Sequence, residues 1–428
     1  MKKHWTRRDF GRLSLAASAA ATASALAPRA ALGAAKARVV VIGGGAGGAT
    51  VARYIAKGSE DIEVTLVNDK AVYTTCFFSN LFIGGFRSFE SISHRYDTLA
   101  ADYGVKVAID RATAIDPEAR SVSLASGGRL AYDRLVVAPG IDLKHEAIEG
   151  YSPEAARTMP HAWQAGRQAL DLRRRITDME DGGTFVICPP PNPFRCPPGP
   201  YERVSMVAHY LKAYKPRSKI LILDAKTKFS KQKLFEDAWA RFYPDMIEWL
   251  SPEILGGWVT AVDPGAMTIT AGDETFTASV ANVIPPQHAG AIAREAGLAD
   301  ESGWCPVAPS TLASRLRPDI HLVGDAIIPG DMPKSGFSAN SQAKVCANAV
   351  LADLLGKTAF KPRFRNTCWS LVTTDHAIKV GASYQATDEK IAKIEGFVSQ
   401  AEESDEVRAE TAKEARGWYA GITKDIFG

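Results

Sequence analysis

The strongest constraint on this chain is a glycine string set between two apolar runs. Arg38-Val39-Val40-Val41-Ile42 reads as a buried parallel strand, and Gly43-Gly44-Gly45-Ala46-Gly47-Gly48 follows at once. A helical stretch then runs to about Lys57, and Glu63-Val64-Thr65-Leu66-Val67 reads as the second strand. Strand, G-x-G-x-x-G, helix and strand within about thirty residues form the dinucleotide fingerprint in the context it needs. Gly43 permits the tight turn, Gly45 lets the backbone approach a pyrophosphate, and Gly48 allows close helix–strand packing. The helix N-terminus offers unpaired N–H groups and a positive dipole end to phosphates. A ribose-binding acid is expected about twenty residues beyond the last glycine. That position is Asn68, with Asp69 next, and an Asn can still hydrogen-bond a ribose hydroxyl.

Two later segments point to FAD rather than NAD. Leu135-Val136-Val137-Ala138-Pro139-Gly140 is a strand running into a turn, and resembles the second segment of two-dinucleotide-domain flavoproteins. Asp319-Ile320-His321-Leu322-Val323-Gly324-Asp325-Ala326 resembles their distal flavin motif, in which a strand delivers an Asp to the ribityl chain; Asp325 is the match. The expected fold class is α/β, with two Rossmann-like domains of the disulfide-reductase type and a C-terminal interface domain. The expected boundaries are 36–150 and 276–350 for the FAD-binding parts, 151–275 for the second Rossmann-like domain, and 351–428 for the interface domain.

The second unit has its strands but lacks its glycines. Gly183-Thr184-Phe185-Val186-Ile187-Cys188 and Lys219-Ile220-Leu221-Ile222-Leu223-Asp224 read as its first two strands. Between them stands Pro189-Pro190-Pro191-Asn192-Pro193-Phe194-Arg195-Cys196-Pro197-Pro198-Gly199-Pro200. Prolines have no N–H to give a phosphate, and their rings obstruct close approach. No NAD(P) is therefore expected here. The prolines can be read as merely stiffening a surface loop, but the loop also presents a cysteine.

Residues 1–35 are best kept out of the fold. Lys2, Lys3, Arg7 and Arg8 precede an alanine-rich apolar run, and small residues follow, which is the plan of a secretory signal. Thr6-Arg7-Arg8-Asp9-Phe10 resembles the twin-arginine signal, which exports folded proteins and so suits a cofactor installed before export. A periplasmic location is the expectation. No later segment is long and apolar enough to span a bilayer. A net charge of +3 over 428 residues gives no support for nucleic-acid binding. The six cysteines, at 76, 188, 196, 305, 346 and 368, are too scattered for a disulfide scaffold. From the residues alone their pairing stays open. There is no C-x-x-C-H for haem attachment, and no metal site is expected. Cys188, Cys305 and Cys346 read as core residues.

Four segments carry a family resemblance: Tyr73-Thr74-Thr75-Cys76-Phe77-Phe78-Ser79-Asn80, Phe194-Arg195-Cys196-Pro197-Pro198-Gly199-Pro200-Tyr201-Glu202-Arg203, Pro333-Lys334-Ser335-Gly336-Phe337-Ser338-Ala339-Asn340-Ser341-Gln342-Ala343-Lys344 and Asn366-Thr367-Cys368-Trp369-Ser370-Leu371. The chain resembles the flavoprotein subunit of flavocytochrome c sulfide dehydrogenase over essentially its whole mature length. The resemblance implies FAD held by an 8α-S-cysteinyl bond at Cys76, although the family commonly has Tyr-Tyr-Thr-Cys where this chain has Tyr-Thr-Thr-Cys. It implies a redox-active disulfide between Cys196 and Cys368, with Glu202 as a nearby acid; a solvated charge at a helix start is the plainer reading of Glu202. It places Asn80, Ser335 and Gly336 at the cofactor. Lys344, or the helix N-terminus after Pro333, would stabilise negative charge on the flavin.

The implied activity is oxidation of sulfide or polysulfide, with electrons leaving for a separate c-type cytochrome subunit that carries the haem. Hydrosulfide is a good nucleophile toward a disulfide. Val407, Ala415, Trp418 and Ile422 have helix-like spacing among many charges, so the tail reads as a docked amphipathic helix rather than a membrane-seeking one. The alternatives are a sulfide:quinone oxidoreductase, and a thiol-redox helper of a sulfur-oxidising complex that has no turnover of its own.

Overall fold

The computed structural model describes residues 36–428. The export signal inferred for residues 1–35 lies outside the described residues. The chain opens with β1 (Ala37–Ile42), α1 (Ala46–Gly58), β2 (Ile62–Asn68), α2 (Ser79–Ile83), β3 (Lys106–Ile109) and β4 (Arg134–Val137). It continues with β5 (Thr184–Cys188), α3 (Gly199–Tyr214), β6 (Lys219–Leu223), α4 (Gln232–Phe242), β7 (Ile247–Leu250) and β8 (Val280–Val283). Last come β9 (Ile320–Leu322), α5 (Gly336–Leu355), β10 (Arg363–Leu371), β11 (Ala377–Ala386), β12 (Ile391–Val398) and α6 (Asp405–Phe427).

Two parallel sheets carry the fold. The first has the order β9-β4-β1-β2-β3, and the second β7-β6-β5-β8. Their strands are near-continuous apolar runs because both faces are covered: Val39, Val40 and Val41 are all buried, as are Phe185, Val186 and Ile187. The fingerprint takes its expected form. Gly43 has φ +97°, and a Cβ there would lie 2.3 Å from the carbonyl oxygen of Ala138. A Cβ on Gly48 would lie 1.9 Å from the carbonyl oxygen of Gly43, so helix and strand approach as only glycine allows.

The second unit extends further than the sequence boundary at residue 275. β8 lies beyond it and closes the second sheet beside β5. Pairing decides the boundary: the chain rejoins the first unit only where residues 287–289 pair with residues 141–143.

The third layer is the antiparallel sheet β10-β11-β12 with α6. α6 docks through Thr411, Ala412, Ala415, Tyr419, Ile422 and Ile426. Val407 was expected on this stripe but is 45% exposed. Arg408 takes the buried place in the first turn, paired with Glu403 at 2.9 Å and donating to the carbonyl of Gln400 at 2.5 Å.

Candidate active site

Three elements from three layers bring cysteines to one cavity of about 70 Å³, lined by Cys76, Cys196 and Cys368. Cys76 sits just before α2. Cys196 sits before α3 in a left-handed conformation, φ +60°, its N–H donating to the carbonyl of Lys334 at 2.8 Å. Only glycine fits at the start of α3, because a Cβ on Gly199 would stand 2.8 Å from Cys196 Sγ. Cys368 projects from β10, where Asn366 Nδ2 donates to its sulfur at 3.4 Å. Ser335 caps α5 by accepting the Ser338 N–H at 3.1 Å, and donates to Asn366 Oδ1 at 2.6 Å. The cap of one helix thus orients the cysteine of another layer.

Glu202 is not a solvated charge. It lies buried in the first turn of α3, accepting from Asn80 Nδ2 at 2.8 Å and from the Leu371 N–H at 3.0 Å. Burial raises its pKa above the usual carboxylate range, and the two donors partly offset this. Burial also raises Cys196 well above an ordinary thiol, with Cys368 and Glu202 adding to it. Cys368 is raised too, again by burial, against the opposing pull of Asn366 and Lys231.

Lys231 is the residue that sequence reasoning missed. Its ammonium, on the loop before α4, donates to Ser370 Oγ at 2.8 Å and to the carbonyl of Cys368 at 3.2 Å. Burial lowers its pKa to about 8, while Cys368, Glu202 and Cys196 hold it up. No local motif marks it, because it reaches the cysteines only through packing of the second unit on β10. Arg195 was missed as well, although it adjoins Cys196. It is buried, donating to the carbonyl of Trp163 at 2.5 Å and pairing with Asp325 at 3.4 Å. Trp369, Trp418, Phe337 and Phe77 form an aromatic wall, with Trp369 and Trp418 centroids 5.3 Å apart.

A dinucleotide cofactor fits the clefts that lead to this cavity. One of about 510 Å³ is lined by Gly43, Asn68 and Asp69, and another of about 380 Å³ by Gly43, Gly45, Asp69, Gly140 and Cys76. A narrower space joins Gly45, Gly140, Asp325 and Gly336 to Cys76. Among the described residues the buried Oδ1 of Asp325 has no hydrogen-bond partner, as an acceptor awaiting a ribityl hydroxyl would be. The start of α5 opens onto the same space at Gly336, where a Cβ would strike Phe77 at 2.6 Å.

Four expectations change. Lys344 is not at the site: it lies a helical stretch away on α5, pairs with Asp425 at 2.7 Å and stacks over Tyr54. Asn80 lines the cavity, but its amide is engaged by Glu202, by the carbonyl of Gly199 and by Arg203 Nε at 3.0 Å, so it positions the acid rather than binding cofactor. Asn68 Oδ1 accepts from the Gly44 N–H at 2.9 Å, which fixes the glycine turn and leaves Asp69 beside it as the free acid of the cleft. Cys196 and Cys368 share the cavity, but no disulfide joins them in this structure.

The second unit keeps an acid where a nucleotide-binding unit would offer one to a ribose, at the end of β6. That acid, Asp224, is fully buried. It accepts from Tyr201 at 2.5 Å, Trp249 Nε1 at 3.0 Å, Lys226 Nζ at 2.6 Å and the Lys226 N–H at 3.1 Å. Phe229 stacks on Tyr201 with centroids 3.7 Å apart.

The fold and site define a two-dinucleotide-domain oxidoreductase of the disulfide-reductase class. Residues 37–178 match the pyridine nucleotide-disulphide oxidoreductase family. Residues 169–285 match the central region of the sulfide dehydrogenase (flavocytochrome c) flavoprotein chain, and residues 360–427 match the flavocytochrome c sulphide dehydrogenase flavin-binding region. The flavoprotein chain of sulfide dehydrogenase from Chlorobaculum thiosulfatiphilum is 56% identical over 43 residues, which are 10% of this chain and 90% of that sequence. This chain belongs to the flavocytochrome c sulfide dehydrogenase flavoprotein family. Sulfide-quinone reductase of Aquifex aeolicus is 34% identical over 137 residues, which span only 31% of each chain. The solved structure of the sulfide:quinone oxidoreductase from Aquifex aeolicus shares the fold, with a TM-score of 0.75 at 19% identity over 91% of this chain and 92% of that one.

Proposed function

We propose that this chain is a periplasmic, FAD-dependent sulfide-oxidising flavoprotein that delivers electrons to a c-type cytochrome subunit. The observation that carries the reading is the convergence of Cys196, Cys368 and Glu202 on one cavity that also contains Cys76, with Lys231 donating to the backbone of Cys368 beside it. Cys76 is the proposed point of covalent flavin attachment, with Asp325, Gly140 and the α5 terminus at Ser335 and Gly336 holding the cofactor. FAD, when bound, accepts two electrons as the cysteine pair closes to a disulfide and can release them singly to haem.

The protein residues handle the sulfur. Hydrosulfide attacks one sulfur of the Cys196–Cys368 disulfide; the S–S bond breaks, one cysteine becomes a persulfide and the other leaves as a thiolate. A second hydrosulfide takes the outer sulfur of the persulfide, which releases hydrodisulfide and restores the thiol. Glu202, its carboxyl pKa raised by burial, gives or takes the proton at the cysteines. Lys231 supplies the positive charge that offsets the thiolate. The engaged Asp224 and the proline loop argue that NADH is not the donor.

Two experiments test the reading. After acid denaturation the yellow chromophore should stay on the peptide that contains Cys76, and Cys76→Ser should release it. Sulfide, added anaerobically, should bleach the flavin while NADH leaves it yellow; bleaching by NADH alone would overturn the proposal.

A further inference from the structure

Beside the cysteine-lined cavity lies another of about 260 Å³ that the proposed reaction does not use. Its floor is apolar, made of Leu81, Phe86, Met206 and Leu371, and Arg87 and Arg416 stand on its wall. The two cavities are lined by the same faces. Glu202 of the first and Met206 of the second lie one turn apart on α3. Trp369 and Leu371 fall on the same side of β10. The Leu371 N–H donates to Glu202, so one peptide unit belongs to both. Phe78 lines the first cavity while its ring lies 5.3 Å from the Arg87 guanidinium.

Arg87 donates to Ser91 Oγ at 3.1 Å and lies over Tyr419, and Arg416 donates to the carbonyl of Thr374. Among the described residues neither forms an ion pair with a carboxylate. Uncompensated guanidinium groups beside an apolar floor suit a ligand that is anionic at its end and apolar along its body. Sulfate and phosphate have the charge but no such body. We propose that this cavity is an accessory binding site for linear anionic sulfur chains, polysulfides above all, next to the cysteines that would produce them. The proposal rests on the sulfide-oxidising reading for the source of the chain, but the site can be tested without turnover.

The probe is a series of redox-inert alkyl sulfonates, from ethanesulfonate to octanesulfonate, titrated calorimetrically into the flavin-loaded protein. Octanesulfonate should bind one to one, with affinity rising roughly fourfold per methylene until the cavity is filled. Arg416 is exposed, so Arg416→Gln should fold normally and weaken octanesulfonate about tenfold. Thr374→Trp, at the rim, should abolish binding by filling the mouth. Tetrasulfide should displace octanesulfonate from the wild type. Affinity independent of chain length, or unchanged in both variants, would sink the site, and failure of tetrasulfide to compete would sink its assignment to sulfur chains. Absence of flavin bleaching by sulfide would instead overturn the proposed reaction and leave the sulfonate isotherms standing.

Discussion

Lys231 is the most consequential single residue beside this cavity, because it is a part-buried cation held by the carbonyl of Cys368 and by Ser370, with Cys368, Glu202 and Cys196 close enough to act on its charge. Its charge is present below pH about 8 and lost above it. The rate of flavin bleaching by sulfide should therefore fall as pH rises through that value. Lys231→Met should lower the rate at pH 7 by about tenfold to a hundredfold and flatten that limb, whereas Lys231→Arg should carry the limb to higher pH. Stopped-flow traces across pH 6 to 10 decide it; an unchanged profile in Lys231→Met would remove the residue from the mechanism. Glu202 acts from the opposite side. Its raised pKa keeps its proton to higher pH than a solvated Glu would. Glu202→Gln can still accept the Leu371 N–H through its amide oxygen, so the fold should persist while bleaching slows by about a hundredfold.

At the scale of elements, the second Rossmann-like unit has kept its strands but carries prolines where a glycine loop would stand. The loop between β5 and α3 delivers Cys196 and Arg195, α3 delivers Glu202, and the loop after β6 delivers Lys231. Asp224, meanwhile, is enclosed by Tyr201, Trp249 and Lys226. Lys226→Met would leave that buried carboxylate without its cation and should destabilise the protein by about 3 kcal/mol, measured by urea unfolding. The same variant should not gain bleaching by NADH, because the prolines still occupy the phosphate loop. The glycine turn of the first unit makes the reverse prediction. Gly48→Ala places a methyl 1.9 Å from the Gly43 carbonyl, and the purified variant should lose its flavin absorbance.

Across the whole molecule the six cysteines divide by environment. Cys188, Cys305 and Cys346 are buried in the core, whereas Cys76, Cys196 and Cys368 reach the cavity. With flavin on Cys76, native dithiothreitol-reduced protein should alkylate at two positions, Cys196 and Cys368, and the oxidised protein at neither. Peptide mapping after iodoacetamide reads this directly, and labelling that ignores the redox state would break the proposed pair. The acceptor is also a whole-molecule question. Among the described residues no helix is long and apolar enough to cross a membrane. The reduced protein should pass electrons to a c-type cytochrome faster than to a soluble quinone analogue.

The sequence by itself determined the parts that depend on local backbone chemistry. The turn at Gly43, the close packing at Gly48, the Asp325 strand end and the prolines before α3 are each dictated within a few residues, by sterics or by a missing N–H. The family resemblance could therefore name all three cavity cysteines and Glu202 from short motifs. Tertiary structure decided what depends on contacts between layers. Lys344 lies on the same helix as the predicted site, but α6 captures it through Asp425. Lys231 stands far from every motif, yet packing brings it to Cys368. Asn80 looked like a cofactor ligand until α3 engaged its amide with Glu202 and Arg203. Long polar side chains take whichever partner the packing presents, and that choice is made only when the three layers meet.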